Sequence, residues 1–502
     1  MKKYIKITLF SFFTLLICMG VLVRGIEVLN KNFVFGFDHG REYLMVKEIV
    51  DGHHMRLIGT PLGAGSAGIQ GIFHGPGYYY FLAIPYILFA GDPYGGVVLM
   101  FIFGIAALVT LCILLYRLFG VFGALLGASL LALSPPIIAQ SRFIWSPYPS
   151  TVFIALAFLF TYLIKRGNKY IFLAAFFSAF VYNFELAIAV PLSITLVVYA
   201  ILVLKFRDFR KYVALVFGFV LALLPMILFE VRHNFMAVNG LITYLSGGSN
   251  AKGHDIGFLS NLSEHFMSFV YNFSGTFPQQ GLIHPIILFL IVVFPFLLFI
   301  KNEKEKKIKE FYLYLALLPF VTFFVLAFLR NTVYEYYLYH LNIVYILILV
   351  YGFLKAIQKK HALFIVSMSL VLSIYAYYGL ANNYKMFAYD IKDYGGDAKI
   401  KGKIEAIDYI YKDAGKTKFN VLVFSPPVYT YPYDYIFQWY GNSKYGYIPG
   451  NEKKGVLYLL IEKDSAKPWS YKGWLETVIK VGTVESEKTL PSGFIVQKRV
   501  VK

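Results

Sequence analysis

Charged side chains are sparse in this chain, and a group of both signs that could do chemistry falls in one short segment, Phe35-Gly36-Phe37-Asp38-His39-Gly40-Arg41-Glu42-Tyr43. If residues 38–50 form a helix, Asp38, Arg41 and Glu42 share a face at i, i+3 and i+4. Two carboxylates with a guanidinium between them suit proton abstraction or metal binding, which makes Asp38 and Glu42 the candidate catalytic groups. A plain structural role stays open, because aspartate is a favoured helix N-cap and the remainder can be a surface ion pair. His39 lies in the same segment. A second histidine opens His74-Gly75-Pro76-Gly77-Tyr78-Tyr79-Tyr80. Gly and Pro make a turn there, and His74 either faces a polar pocket or lies at the surface. His39, His74, Tyr78 and Tyr79 are the candidate substrate or loop residues.

Arginine is suited to bidentate binding of phosphate. The candidates are Arg41, Arg142 in Ser141-Arg142-Phe143-Ile144-Trp145-Ser146-Pro147, Arg232 with His233 in Glu230-Val231-Arg232-His233-Asn234, and Arg330. Headgroup contact or capping of a helix C-terminus is the alternative for each arginine. The stretch Tyr334 to His340 reads as interface anchors, with Glu335 or His340 reaching toward a site. Gly63-Ala64-Gly65-Ser66-Ala67-Gly68 matches the dinucleotide fingerprint letter by letter but has no βαβ context, so it reads as a loop closing over a site. Gly123 and Gly127 read as close helix packing. Cys18 and Cys112 sit in apolar runs and offer no disulfide framework.

The elements that carry these residues are set by composition. The 502 residues are 58% hydrophobic, 19% aromatic and 15% charged. About a quarter of residues 381–502 are charged, as in a soluble protein, against roughly a tenth of residues 1–380. The sequence thus divides into a membrane body, 1–380, and a soluble tail, 381–502. Apolar runs near 7–23, 95–116, 119–138, 150–164, 170–184, 187–204, 212–229, 282–300, 311–329, 338–354 and 362–380 give about eleven helical spans. The first run follows Lys2, Lys3 and Lys6 but lacks a small-residue cleavage site, and reads as an uncleaved helix. The segment 81–90 is too short to span and lies along the interface.

Basic residues orient the body. With the N-terminus cytoplasmic, 19 of the 28 basic residues before 381 fall in short inner turns and nine in much longer outer loops. An odd number of spans then places the tail outside. The net charge of +19 is therefore topological, and no nucleic-acid partner is implied. The outer pieces are a large first loop, 25–94, a second at 231–281, and short ones at 139–149 and 330–337. The tail reads as a small α/β unit, with a helix around 403–412 and strands at Phe419–Phe424, Val456–Ile461, Thr477–Val481 and Phe494–Val500.

An Asp-bearing first outer loop, a His-x-Pro-x-Tyr-Tyr-Tyr element entering an interfacial helix, and many spans before an outer tail together resemble the GT-C membrane glycosyltransferases. The nearest relatives by this resemblance are the bacterial protein O-mannosyltransferase-like and lipid A aminoarabinose transferase-like enzymes of the cell envelope. It covers residues 1–380 in architecture, with its motifs in 33–90. The resemblance implies a multi-pass enzyme of the cytoplasmic membrane. It would transfer a sugar, with inversion, from a polyprenyl-phosphate donor to an extracytoplasmic lipid, glycan or protein acceptor. Asp38 occupies the place of that family's essential acid. His39 follows it where the mannosyltransferases often have a second acidic residue, and Glu42 comes four positions later. The sequence leaves room for a divalent cation without requiring one. A lipid-linked oligosaccharide transporter or a polysaccharide polymerase or ligase are the competing readings. A transporter should carry ionisable residues near the bilayer midplane, where this chain has only Glu185 as a candidate.

Overall fold

The computed structural model describes residues 2–62, 71–204, 209–246, 258–278, 281–329, 332–392, 399–426, 429–464 and 466–501. The glycine-rich stretch 63–68 and Arg330 lie outside them. Each of the eleven apolar runs is helical. Among the described residues, the helices of nine or more residues are α1 (Lys2–Arg24), α2 (Phe37–Val50), α3 (Gly77–Leu88), α4 (Tyr94–Leu133), α5 (Ser150–Tyr162), α6 (Asn168–Phe180), α7 (Leu186–Leu204), α8 (Phe209–Ala222), α9 (Leu224–Arg232), α10 (Met236–Leu245), α11 (Phe258–Thr276), α12 (Pro285–Lys301), α13 (Lys306–Leu326), α14 (Tyr339–Gln358), α15 (Ala362–Asp390) and α16 (Ile400–Ala414). Among the described residues, six helices are long and apolar enough to cross a bilayer, and the bent pair α8–α9 makes a seventh.

The remaining runs are accommodated in three ways. The 40 residues of α4 hold two spans, because Gly120 breaks the helix at φ +70°, a conformation costly for any side chain-bearing residue. The 13 residues of α5 and of α6 rise about 20 Å each, less than the hydrocarbon thickness. They pack on each other through Phe153 and Phe180, 5.0 Å apart, and Phe160 and Phe177, stacked 5.6 Å apart. Helix α12 is apolar and 17 residues long. The run expected as one straight span at 212–229 is instead bent by 66° between α8 and α9, where Pro225 opens the second helix. The centre of the bundle is α14, buried at every position from Tyr339 to Gly352, as suits a helix apolar on all sides.

Helix α15 runs on to Asp390, so position 381, expected as the boundary of the tail, lies inside it. Beyond it are strands β1 (Asn420–Phe424), β2 (Gly455–Ile461), β3 (Thr483–Thr489) and β4 (Ile495–Val501) in the order β1-β2-β4-β3. The β1–β2 pair is parallel; β2–β4 and β3–β4 are antiparallel. The third strand was expected at Thr477–Val481. Most of that stretch instead lies in a helical turn, Leu475–Ile479, and the strand follows it as an exposed edge.

The tail and the bundle share one apolar core, and α2 lies between them. A short tail helix, α17 (Tyr431–Ile436), crosses α2 at Gly40. A Cβ there would stand 2.3 Å from the Pro432 backbone nitrogen. Val34 bridges Lys399, and the Ile400 N–H donates to Phe33 O at 2.9 Å. On the bundle side the Tyr43 hydroxyl donates to Pro93 O at 3.2 Å, while Tyr435 from the tail donates to Gly91 O.

Candidate functional site

Helix α2 begins at an N-cap glycine, Gly36, whose N–H donates to His39 Nδ1 at 3.0 Å. His39 thereby does the capping, and Asp38 is a first-turn residue with its side chain left for other contacts. Asp38 Oδ1 lies 2.8 Å from Arg41 Nη2, and the pair is partly open to solvent, at 41% and 31% exposure. Glu42 is different. It is 1% exposed, with Oε1 3.9 Å from Arg41 Nη2 and Oε2 lacking a hydrogen-bond partner among the described residues. Burial and the charge of Asp38 push its carboxyl up to about 8, against the opposing pull of Arg41. Glu42 is thus mostly a neutral acid at pH 7. The buried rings of Tyr78 and Tyr79 at the start of α3 close over it, and the same burial with the Glu42 charge raises both phenols above the usual range.

The turn before α3 is fixed by the helical turn Val181–Asn183 that follows α6. Gly75 N–H donates to Tyr182 O at 3.2 Å and Gly77 N–H to Asn183 Oδ1 at 2.9 Å. Asn183 sits so close that a Cβ on Gly75 would stand 2.3 Å from Oδ1. His74 is therefore drawn inward, buried rather than at the surface, and its Nδ1 accepts from the Leu186 N–H at 3.3 Å. That bond assigns the neutral ring's proton to Nε2. Burial, with the charge of Arg41, holds His74 down at about 4. His39 is lowered similarly by burial and by Lys403, on the tail side of α2 rather than beside the carboxylates.

Two groups outside the expected set complete the site. Glu185, in the turn before α7, is buried, and its Oε1 accepts from Ala187 N–H at 3.0 Å. Burial raises this carboxyl to about 8. Tyr336, in the helical turn Glu335–Leu338, lies within electrostatic reach of both Asp38 and Glu185. Glu185 was legible only as a lone charge between apolar runs, and Tyr336 only as one of several interface tyrosines.

Next to this cluster opens a cavity of about 1340 Å³. Leu186, which donates to His74, and Tyr337, the neighbour of Tyr336, stand at one part of its wall. The rest is almost wholly apolar, from α7, α9, α10 and the end of α13, with Glu230 as its one carboxylate. Glu230 is occupied, accepting from Ala237 N–H at 2.9 Å and Val238 N–H at 3.1 Å at the start of α10.

The arginines divide. Arg41 is in the cluster. Arg232 and His233 are exposed at the end of α9, with His233 stacked on Phe229, which touches Phe73 beside His74. Arg142, expected on the donor-phosphate side, is elsewhere. It is 1% exposed, with Nε 2.9 Å from Glu27 Oε2 and Nη2 bonded to Glu27 and Asp390. Two carboxylates neutralise that guanidinium, so it ties the end of α15 to the short helix Ile26–Asn30 that follows α1 rather than presenting charge to a ligand. His340 is also diverted, with Nε2 2.9 Å from Thr322 Oγ1 inside the bundle, and Glu335 is exposed. Among the described residues no group of three His, Cys, Asp or Glu side chains is placed to hold a metal ion.

The fold has solved counterparts. The crystal structure of ArnT from Cupriavidus metallidurans bound to undecaprenyl phosphate matches with a TM-score of 0.54 over 98% of each chain, at 11% identity. The apo structure of the same ArnT matches with a TM-score of 0.56 over 98% of each chain, at 12% identity. The chain has the GT-C fold. The match runs through the bundle and the tail alike, so the GT-C architecture here includes the C-terminal sheet, and the chain is a multi-pass membrane protein. No protein-family model matches the sequence, and no curated protein matches it either.

Proposed function

We propose that this GT-C chain is a glycosyltransferase that moves a sugar from a polyprenyl-phosphate donor to an acceptor hydroxyl. The observation that carries the reading is the apolar cavity whose wall residues Leu186 and Tyr337 adjoin His74 and Tyr336, the groups within electrostatic reach of Arg41 and Asp38. A polyprenyl chain needs a long apolar groove between helices, and its phosphate needs a polar head to that groove. The ArnT structure was solved with undecaprenyl phosphate, a carrier of this chemistry.

In the proposed reaction the acceptor oxygen attacks the anomeric carbon from the face opposite the phosphate. The C–O bond to phosphate breaks, the acceptor proton passes to Asp38, and the polyprenyl phosphate leaves with its added negative charge. Inversion follows from the single displacement. Arg41 and Arg232 are the cations assigned to the departing phosphate, with His233, beyond Phe73, beside Arg232; Arg330 keeps this assignment from its sequence position. Neutral His74, accepting from the Leu186 N–H, and protonated Glu42 add no charge that would repel a phosphate. The basic-residue distribution supports an outward-facing site, with residues 1–380 as the transferase body and 381–502 as its extracytoplasmic domain.

The test is transfer by the purified protein in lipid, supplied with polyprenyl-phosphate sugars and followed by release of polyprenyl phosphate. Asp38→Asn keeps the shape but removes the proton acceptor, and should lower the rate roughly 10²–10⁴-fold. Wild-type turnover in a well-inserted Asn variant would refute the role of Asp38.

A further inference from the structure

Beside Asp38 the tail presents an aromatic surface that the proposed transfer does not use. Phe37 is the residue before Asp38 and opens α2. Its ring lies 5.3 Å from Tyr429 and 5.3 Å from Tyr431, and these two tyrosines stack on each other at 5.5 Å with planes 10° apart. Tyr429 is 55% exposed, unusual for a ring already stacked on a partner. The platform is coupled to the reacting groups. Arg41 Cζ lies 5.4 Å from the Phe37 ring centroid, and the same guanidinium pairs with Asp38 at 2.8 Å. Contact of the Tyr431–Pro432 backbone with Gly40 fixes the tail's half of the platform against α2.

From this juxtaposition we infer that the acceptor is a carbohydrate, whose terminal ring stacks on Tyr429 and Tyr431 with a hydroxyl directed at Asp38. The inference rests on the transferase reading above. A pyranose has C–H faces that stack on aromatic rings and a rim of hydroxyls that need polar partners. Here the Phe37 ring joins the stacked tyrosines to the Arg41–Asp38 pair, so a saccharide lying along the platform can direct a hydroxyl at Asp38. A lipid chain would call for an apolar groove without an exposed ion pair alongside. A peptide would call for backbone partners, and among the described residues none of the three platform rings lies on a strand.

The test separates this inference from the transferase reading. Saturation-transfer NMR on the full chain in lipid nanodiscs would probe maltotriose, cellotriose, chitotriose and mannotriose. Binding of at least one, with saturation strongest on the C–H protons of one ring face, is expected. Tyr429→Ala should weaken that binding about tenfold, the loss of one well-stacked ring, and Tyr429→Phe should restore it. With a polyprenyl-phosphate sugar as donor, Tyr429→Ala should raise the acceptor KM about tenfold with the donor KM unchanged. If wild type binds none of the four saccharides, or Tyr429→Ala binds as wild type does, the inference is overturned even where donor is consumed. Transfer to a serine- or threonine-bearing peptide in place of any saccharide would also overturn it. If donor is never consumed, the transferase reading fails, and the NMR result still judges the platform.

Discussion

Replacing Glu42 by glutamine should stabilise the protein, by an amount that grows with pH. A carboxyl held at about 8 in the fold ionises near its ordinary value of 4.5 in the unfolded chain. Between those values the unfolded state loses its proton first, so native stability falls as pH rises, by about 1.4 kcal/mol per pH unit. Below 4.5 both states are protonated and nothing is lost; above about 8 both are ionised and the loss is complete. The penalty is about 3 kcal/mol at pH 7 and of order 5 kcal/mol at pH 8 and beyond. Glutamine matches the neutral acid in shape and cannot ionise, so it should remove the penalty. Thermal unfolding of wild type and Glu42→Gln at each pH from 5 to 9 reads this directly. The gap should widen from pH 5 to 8 and then level off. The same variant should keep transfer activity near neutral pH, and unlike wild type should keep it above pH 8. A gap that does not vary with pH would show that Glu42 is not a buried neutral acid. Abolished activity at pH 6–7 in a stable Gln variant would make Glu42, not Asp38, the proton acceptor.

Three other outcomes follow from the geometry. Arg142→Lys, which cannot span Glu27 and Asp390 in a planar fork, should lower the unfolding temperature and leave the donor KM unchanged; removing the charge altogether with Arg142→Met should cost about 3–5 kcal/mol. Gly40→Ala replaces a helical glycine by the better helix former, worth about 1 kcal/mol in isolation, yet should destabilise by about 1–3 kcal/mol because its Cβ meets the Pro432 backbone; protease release of the tail is the readout. A reporter fused after residue 400 should be active only in its exported form, and cytoplasmic activity would place the cluster on the other side of the membrane.

How much of this could be read beforehand depended on how local the cause was. Span positions came from continuous apolar runs, and the break expected at 117–118, between the second and third spans, lies beside Gly120, where the helix breaks. The 66° bend before α9 had no such mark, since Pro225 stands in an apolar run that also fits a straight helix. The β3 error has a specific cause. Thr477–Val481 has a strand-like composition but falls mostly in a helical turn, whereas Thr483–Thr489 is polar and exposed throughout, as an edge strand can be, and shows no alternation. The Asp38–Arg41–Glu42 face was visible because its spacing lies within one helix. Arg142 could not be assigned that way, because its partners lie 115 and 248 residues away. A buried clamp and an exposed phosphate ligand are the same letter in an apolar context.

The placement of α2 also bears on why a membrane enzyme of this design would carry a soluble tail. The helix bearing Asp38 is not held by the bundle alone. Its inner side is fixed by Tyr43 on Pro93 O, and its start is tied to the tail by the Phe33–Ile400 hydrogen bond and the Val34–Lys399 bridge. The buried Lys403, 2.9 Å from Glu462 and 3.1 Å from the Tyr433 hydroxyl, faces His39, the residue that caps the helix. A base works only when held within a few tenths of an ångström of its proton. Here that constraint is supplied from two sides, with the cavity next to the bundle side and the aromatic platform on the tail side. The tail is thereby part of the frame that positions Asp38, and a donor arriving through the bilayer and an acceptor arriving over the tail would meet at the one helix both halves hold.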